Sequence, residues 1–212
     1  WNKMVKINKL FKKFEDISTI GIANILGTVI SALFWLFLAT IITTDEYGQI
    51  SYYIAIGSVA SVVALVGGNT TITVYTAKKI PIVSTVFLVS IISSAISALA
   101  VLIIIQNPIV STYVIAYVIF VLTTSYYLGQ KQFKKYSKIF IIQKILFVTL
   151  AIPLNYILGP NGVVLGISLS FFIPLYTFFK IFKEIKIDFP LLRSKINFMQ
   201  NSYGKDLARV VS

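Results

Sequence analysis

Apolar residues fill six long stretches of this chain, and polar residues are confined to the short segments between them and to the two ends. The stretches cover residues 17–42, 49–75, 81–105, 109–128, 139–158 and 162–179. A helix rises 1.5 Å per residue, so about 20 residues cross the roughly 30 Å hydrocarbon core of a bilayer. A backbone surrounded by lipid must bond its own N–H and C=O groups, so stretches of this length predict helices. The expected fold is an all-α integral membrane protein with six transmembrane helices.

Local composition adds detail. In the first stretch Gly21, Asn24, Gly27, Thr28 and Ser31 recur at spacings of three and four, a small-residue face suited to close helix packing. In the third, Ser90, Ser94, Ser97 and Ala98 mark a second such face. The second stretch is interrupted by Gly67-Gly68-Asn69-Thr70-Thr71, which predicts a broken or closely packed helix facing protein or water. Pro174 predicts a kink in the sixth. The segments Thr43-Thr44-Asp45-Glu46-Tyr47-Gly48, Gln106-Asn107-Pro108 and Leu158-Gly159-Pro160-Asn161-Gly162 read as connections, and the tyrosines of Thr123-Thr124-Ser125-Tyr126-Tyr127 as part of an interfacial belt.

The ends differ from the centre. In residues 1–16, Met4, Ile7, Leu10, Phe11 and Phe14 recur at helical spacing with lysines between them. That predicts an amphipathic helix in the headgroup plane, the alternative being a plain basic flank. Residues 17–179 form the transmembrane unit. Residues 180–212 form a linker, with Ile196, Met199, Tyr203, Leu207 and Val210 at amphipathic spacing, and are expected to hold the start of a second repeat.

Charge sets the orientation. Of the 19 Lys and Arg residues, all but Lys144 lie at the N-terminus, in the second and fourth connections or in the tail, and the first, third and fifth connections carry none. Positive residues in short loops stay cytoplasmic, which puts both chain ends inside the cell and the protein in the plasma membrane. The net charge of +12 could suit nucleic acid, but basic residues that flank apolar spans point instead to anionic membrane lipids, and no nucleic-acid partner is expected. Cys and His are absent, which excludes disulfides, thiolate chemistry and most zinc sites; no cofactor and no enzymatic role are expected.

Lys144 is the one charged residue within an apolar stretch. An intramembrane charge is a functional candidate, although placed near the edge it can instead snorkel to the headgroups. Asn24, Asn69 and Thr71 are uncharged candidates for lining a polar substrate cavity, set against plain interhelical hydrogen bonding. No Asp or Glu lies within the stretches, so any ion coupling would use uncharged groups or a part of the protein beyond this chain.

The run Leu38-Ala39-Thr40-Ile41-Ile42-Thr43-Thr44-Asp45-Glu46-Tyr47-Gly48-Gln49-Ile50, followed by Val66-Gly67-Gly68-Asn69-Thr70-Thr71 and Tyr75-Thr76-Ala77-Lys78-Lys79, resembles the N-terminal signature of polysaccharide flippases of the Wzx (O-antigen) type. That family belongs to the MOP superfamily, with the multidrug MATE exporters. The resemblance lies in motif over residues 17–79 and in topology over all six stretches. It implies one six-helix lobe of a two-lobe transporter, a second lobe in the same or a partner chain, and alternating access for a lipid-linked oligosaccharide. Family cavities hold basic residues for a lipid diphosphate; here Lys144 alone could serve. A MATE-type drug exporter and a non-transporting membrane subunit of a larger complex are the alternative readings.

Overall fold

The computed structural model describes residues 2–81, 83–183 and 189–211, and the side chains among them apart from those of 2–17, 183, 189, 191–192, 196–197, 205–207 and 209–211. All described elements are helices: α1 (Asn2–Ile41), α2 (Thr44–Leu65), α3 (Gly68–Ala77), α4 (Val83–Ile105), α5 (Pro108–Gly129), α6 (Phe133–Leu158), α7 (Pro160–Phe171), α8 (Leu175–Lys183), α9 (Phe189–Ser194) and α10 (Ile196–Val211). Five are long and apolar enough to cross a membrane: α2, α4, α5, α6 and the Ser18–Ile41 part of α1. The pair α7 and α8, bent by 44° at a break over residues 172–174 that contains Pro174, makes a sixth when taken together as one span. The chain is therefore a multi-pass, all-α membrane protein, as its hydropathy pattern predicts.

Residues 2–16, expected to lie flat on the membrane, continue α1 without a break, and the faces they present lie outside the described side chains. Two boundaries also differ from expectation. The acidic segment after α1 is not a loop but the first turn of α2. Thr43 is its N-cap, the Thr43 hydroxyl accepts from the Glu46 N–H at 3.3 Å, and the Glu46 carboxylate accepts from the Thr43 N–H at 2.8 Å. This capping box satisfies exposed donors at a helix start, where acidic residues also oppose the helix dipole. Likewise α6 starts at Phe133 and not 139, carrying Lys134, Lys135 and Lys138 in its opening turns.

At the centre stands α5, which packs against α2, α3, α4, α6, α7 and α8. One apolar cluster gathers Ile72, Val86, Phe87, Val118, Leu122 and Phe178 between α3, α4, α5 and α8; the other gathers Phe34, Leu38, Ile50, Phe120, Phe147 and Val164 between α1, α2, α5, α6 and α7. On the outside, Leu33, Leu36, Ile96, Ile103, Ile104, Ile157 and Tyr176 are more than half exposed. A surface this apolar is unstable in water and suited to acyl chains.

Small residues set the helix spacing, though not all those in the predicted stripes. Of the α1 glycines only Gly27 meets a neighbour: a Cβ there would lie 2.5 Å from the Phe140 ring and 3.3 Å from Cγ of Lys144, whereas Gly21 has nothing within 4 Å. The tightest approach is between α6 and α7, through Gly162 and Gly166. On α4 the predicted serine face does hold α2: the Ser97 hydroxyl donates to the Ala60 carbonyl at 2.9 Å, and the Ser90 hydroxyl to the Leu65 carbonyl at 3.2 Å. At the end without lysines, Asn107 caps α5 by accepting from the Ile109 N–H and donates to the Asn161 side chain at 2.8 Å. That bond ties two turns more than fifty residues apart in the chain.

Candidate functional site

The interruption of the second span begins where α2 ends. Val66 (φ 49°) and Gly67 (φ 71°) are both left-handed, so the chain leaves one helix and enters the next without a continuous hydrogen-bond ladder. Breaking a helix frees carbonyls that lipid cannot satisfy. The Ser90 hydroxyl takes the Leu65 carbonyl, and the Thr71 hydroxyl takes the Gly67 carbonyl at 2.8 Å. Gly68 is needed beside Ser90, because a Cβ there would lie 2.7 Å from its Oγ.

The break is also a seat for α10. The Met199 carbonyl and the Tyr203 N–H lie 2.6 Å and 2.8 Å from where a Gly67 Cβ would stand. Met199 and Ser202 are buried, and the Phe198 ring meets Tyr75 edge-on at 5.1 Å. Of the amphipathic positions predicted for the tail, Met199 and Tyr203 thus have a partner surface on α3 and the end of α2, and the side chains of Ile196, Leu207 and Val210 lie outside the described residues.

The four residues singled out from the sequence do not form one cluster. Asn69 and Thr71 share the first turn of α3. Thr71 is fully buried and its hydroxyl stays within its own helix; Asn69 is half-buried, with its carboxamide oxygen accepting from the Thr70 N–H at 2.7 Å. Asn24 and Lys144 belong to a second neighbourhood, formed where α1 packs on α6. Asn24 is exposed on α1.

Lys144 lies three turns into α6, because the helix starts ahead of the apolar stretch, at Phe133. Its ammonium group stands 5.7 Å from the Phe140 ring centre and 5.8 Å from that of Phe147, within cation–π range of both. Phe147 is one turn farther from the lysine-rich end than Lys144 itself. The ammonium group thus lies between rings one turn to either side of it.

Two polar features of this neighbourhood lie outside the sequence expectations. Gln143 is buried and donates to the Ser170 hydroxyl at 2.9 Å, joining α6 to α7. The Tyr113 and Ser58 hydroxyls lie 3.2 Å apart between α5 and α2, where Gly57 makes room for the tyrosine ring. A glutamine within an apolar run is a readable signal. The tyrosine pairing carries none, since both residues fit a lipid-facing position equally well. No protein family, curated protein or solved structure matches this chain.

Proposed function

We propose that the chain is one lobe of a plasma-membrane transporter that moves a lipid-linked oligosaccharide between leaflets by alternating access, with both ends of the chain on the cytoplasmic side. The observation that carries this reading is the interrupted second span. Discontinuous spans in transporters place polar backbone and hinges beside a substrate path, and this break, capped by Ser90 and covered by α10, is built in and not incidental. The exposed Asn24 adds support. A carboxamide turned to hydrocarbon costs several kcal/mol, so a second lobe or a water-filled cavity is expected to cover that face of α1. Lys144 is the cation this arrangement offers to a phosphate of the carrier lipid. The motif after α1 resembles that of oligosaccharide flippases, and on that resemblance an oligosaccharide is proposed as cargo over a drug.

Deletion of the gene in its own host tests the proposal. Lipid-linked oligosaccharide should accumulate on the cytoplasmic leaflet, protected from an impermeant oxidant, and re-expression should release it. Lys144→Arg should restore more transfer than Lys144→Gln, since the charge and not the exact geometry is required. Undiminished transfer in the deleted strain would refute the flippase reading, and equal rescue by the Gln variant would remove Lys144 from the cavity.

Orientation has its own check. The native chain has no Cys, so single cysteines report without background. Asp45→Cys should react with an impermeant thiol reagent in intact cells, and Lys135→Cys only after permeabilisation. Both side chains are exposed in the fold, so labelling of position 135 in intact cells would invert the topology.

A further inference from the structure

Two of the four non-glycine residues with positive φ among the described residues are lysines, and both line one cleft. Helices α3 and α5 end side by side at the lysine-rich end, and they end in the same way. After α3 the Lys79 N–H bonds the Thr76 carbonyl at 3.0 Å and the Ile80 N–H bonds the Tyr75 carbonyl at 2.9 Å. After α5 the Lys131 N–H bonds the Leu128 carbonyl at 3.0 Å and the Gln132 N–H bonds the Tyr127 carbonyl at 2.9 Å. Both are Schellman closures, whose left-handed position strongly favours glycine. Here Lys79 (φ 57°) and Lys131 (φ 59°) hold it. A side chain kept at a backbone position that disfavours it is a reason to ask what the side chain does.

Between the two closures lies an open cleft of about 510 Å³, lined by Thr76, Lys79, Pro81, Val83, Gln130 and Lys131 among others. Gly129 lets the end of α5 close against α3: a Cβ there would stand 2.6 Å from Cβ of Thr76 and 2.8 Å from the Thr73 carbonyl. The Thr76 hydroxyl is buried and has no hydrogen-bond partner among the described residues. The neighbouring lysines are engaged elsewhere, Lys78 over the Tyr75 ring at 5.9 Å and Lys135 over the Tyr127 ring at 5.7 Å. Among the described residues Lys79 and Lys131 have no such ring or carboxylate partner, and the described acidic side chains, Asp45 and Glu46, sit at the opposite end.

We propose that this cleft is a binding site for a phosphate-bearing headgroup, with Lys79 and Lys131 as its paired cations. Basic pockets between helix ends at a membrane surface suit anionic lipid headgroups, and a scattered basic flank would not pair two cations across one cavity. The inference rests on the membrane fold alone and is independent of what, if anything, the protein transports.

Native mass spectrometry of the purified full chain tests it. The parent should retain phosphatidylglycerol in several-fold preference to phosphatidylcholine of the same acyl length. Lys79→Gly/Lys131→Gly should lose that preference and yet unfold at a higher temperature in lipid-free detergent, because glycine suits both closures. Lys79→Arg/Lys131→Arg should keep the preference. A matched pair, Lys79→Asn/Lys131→Asn, removes the charge with a residue that also accepts left-handed backbone, and should behave as the glycine pair should the latter fold poorly. If inorganic phosphate at millimolar concentration raises the unfolding temperature of the parent but not of the uncharged pairs, and phosphatidylglycerol shows no preference, the ligand is a free phosphate. Equal retention of phosphatidylglycerol by the parent and the uncharged pairs, or no response to either phosphate source, overturns the proposal.

Discussion

A Gly166→Leu chain is expected to lose most of its folded population in detergent. Helices α6 and α7 approach backbone to backbone at this residue. A Cβ alone would lie 2.6 Å from both the Cα and the N of Ala151 and 2.9 Å from the Leu150 carbonyl carbon. One helical turn earlier, at Gly162, it would lie 1.9 Å from the Leu154 carbonyl oxygen. These are backbone atoms, so no rotamer change relieves the clash and the two helices must separate. Overpacking of a close interface costs about 1–3 kcal/mol and sometimes more, and here the Gln143–Ser170 hydrogen bond is lost with it, about 0.6 kcal/mol by the average for membrane helices. The control is Gly21→Ala, with nothing within 4 Å, which should be neutral or slightly stabilising because alanine favours helix by up to about 1 kcal/mol. Unfolding temperatures of Gly21→Ala, Gly162→Ala, Gly166→Ala and Gly166→Leu in one detergent decide the matter. Should the two Ala variants at 162 and 166 match Gly21→Ala, the α6–α7 contact is not the close one described.

The second large effect is local and not global. Gly67→Ala should dislodge α10 while leaving the six-span body folded. The left-handed conformation costs a non-glycine residue about 1–2 kcal/mol, and the added methyl meets the backbone of Met199 and Tyr203. The segment that yields is α10, because it is held on one side by α3 and the end of α2, whereas α2 is held by α4, α5 and α7 as well. Cysteine reactivity reads this directly. Met199 is 4% exposed, so Met199→Cys should react slowly in the parent and at least tenfold faster with Gly67→Ala, whereas Gln200→Cys, at a position already exposed, should not change. Unchanged protection of position 199 would mean that α10 is not seated on the break. If α10 regulates the break, the same substitution should also alter transfer in the deleted host, which ties this local result to the proposed function.

Both effects arise from glycines, yet only one is visible in the sequence. The pair Gly67-Gly68 beside Asn and Thr stands out as an interruption of an apolar run. The Gly162-Gly166 pair has the spacing of a close-packing motif, but Gly162 reads as part of a turn and Gly166 as one small residue among many. The capping box at Thr43 and Glu46 is equally legible, a threonine with glutamate three residues later ahead of an apolar run. It is easily missed because two acidic residues at the end of a span look like a solvated loop.

What the sequence determined by itself is the succession of helices, the all-α membrane class, the kink before Pro174, the break at Gly67 and the gathering of lysines at alternate turns. The physical reason is that lipid leaves an apolar stretch no way to bond its backbone except as a helix, so length and composition decide, and glycine and proline act locally. Only the tertiary structure decided which face of most helices is buried, that Gly27 but not Gly21 is a contact, that Ser90 caps Leu65, that Asn107 finds Asn161, that Asn24 and Lys144 lie apart from Asn69 and Thr71, and that Lys79 and Lys131 share a cleft. In a membrane the outer surface is as apolar as the interior, so apart from marks such as the serine face of α4 little in the sequence betrays a helix's orientation. Rotation about the helix axis is then fixed by packing between helices distant in sequence, and that information exists only once they have come together.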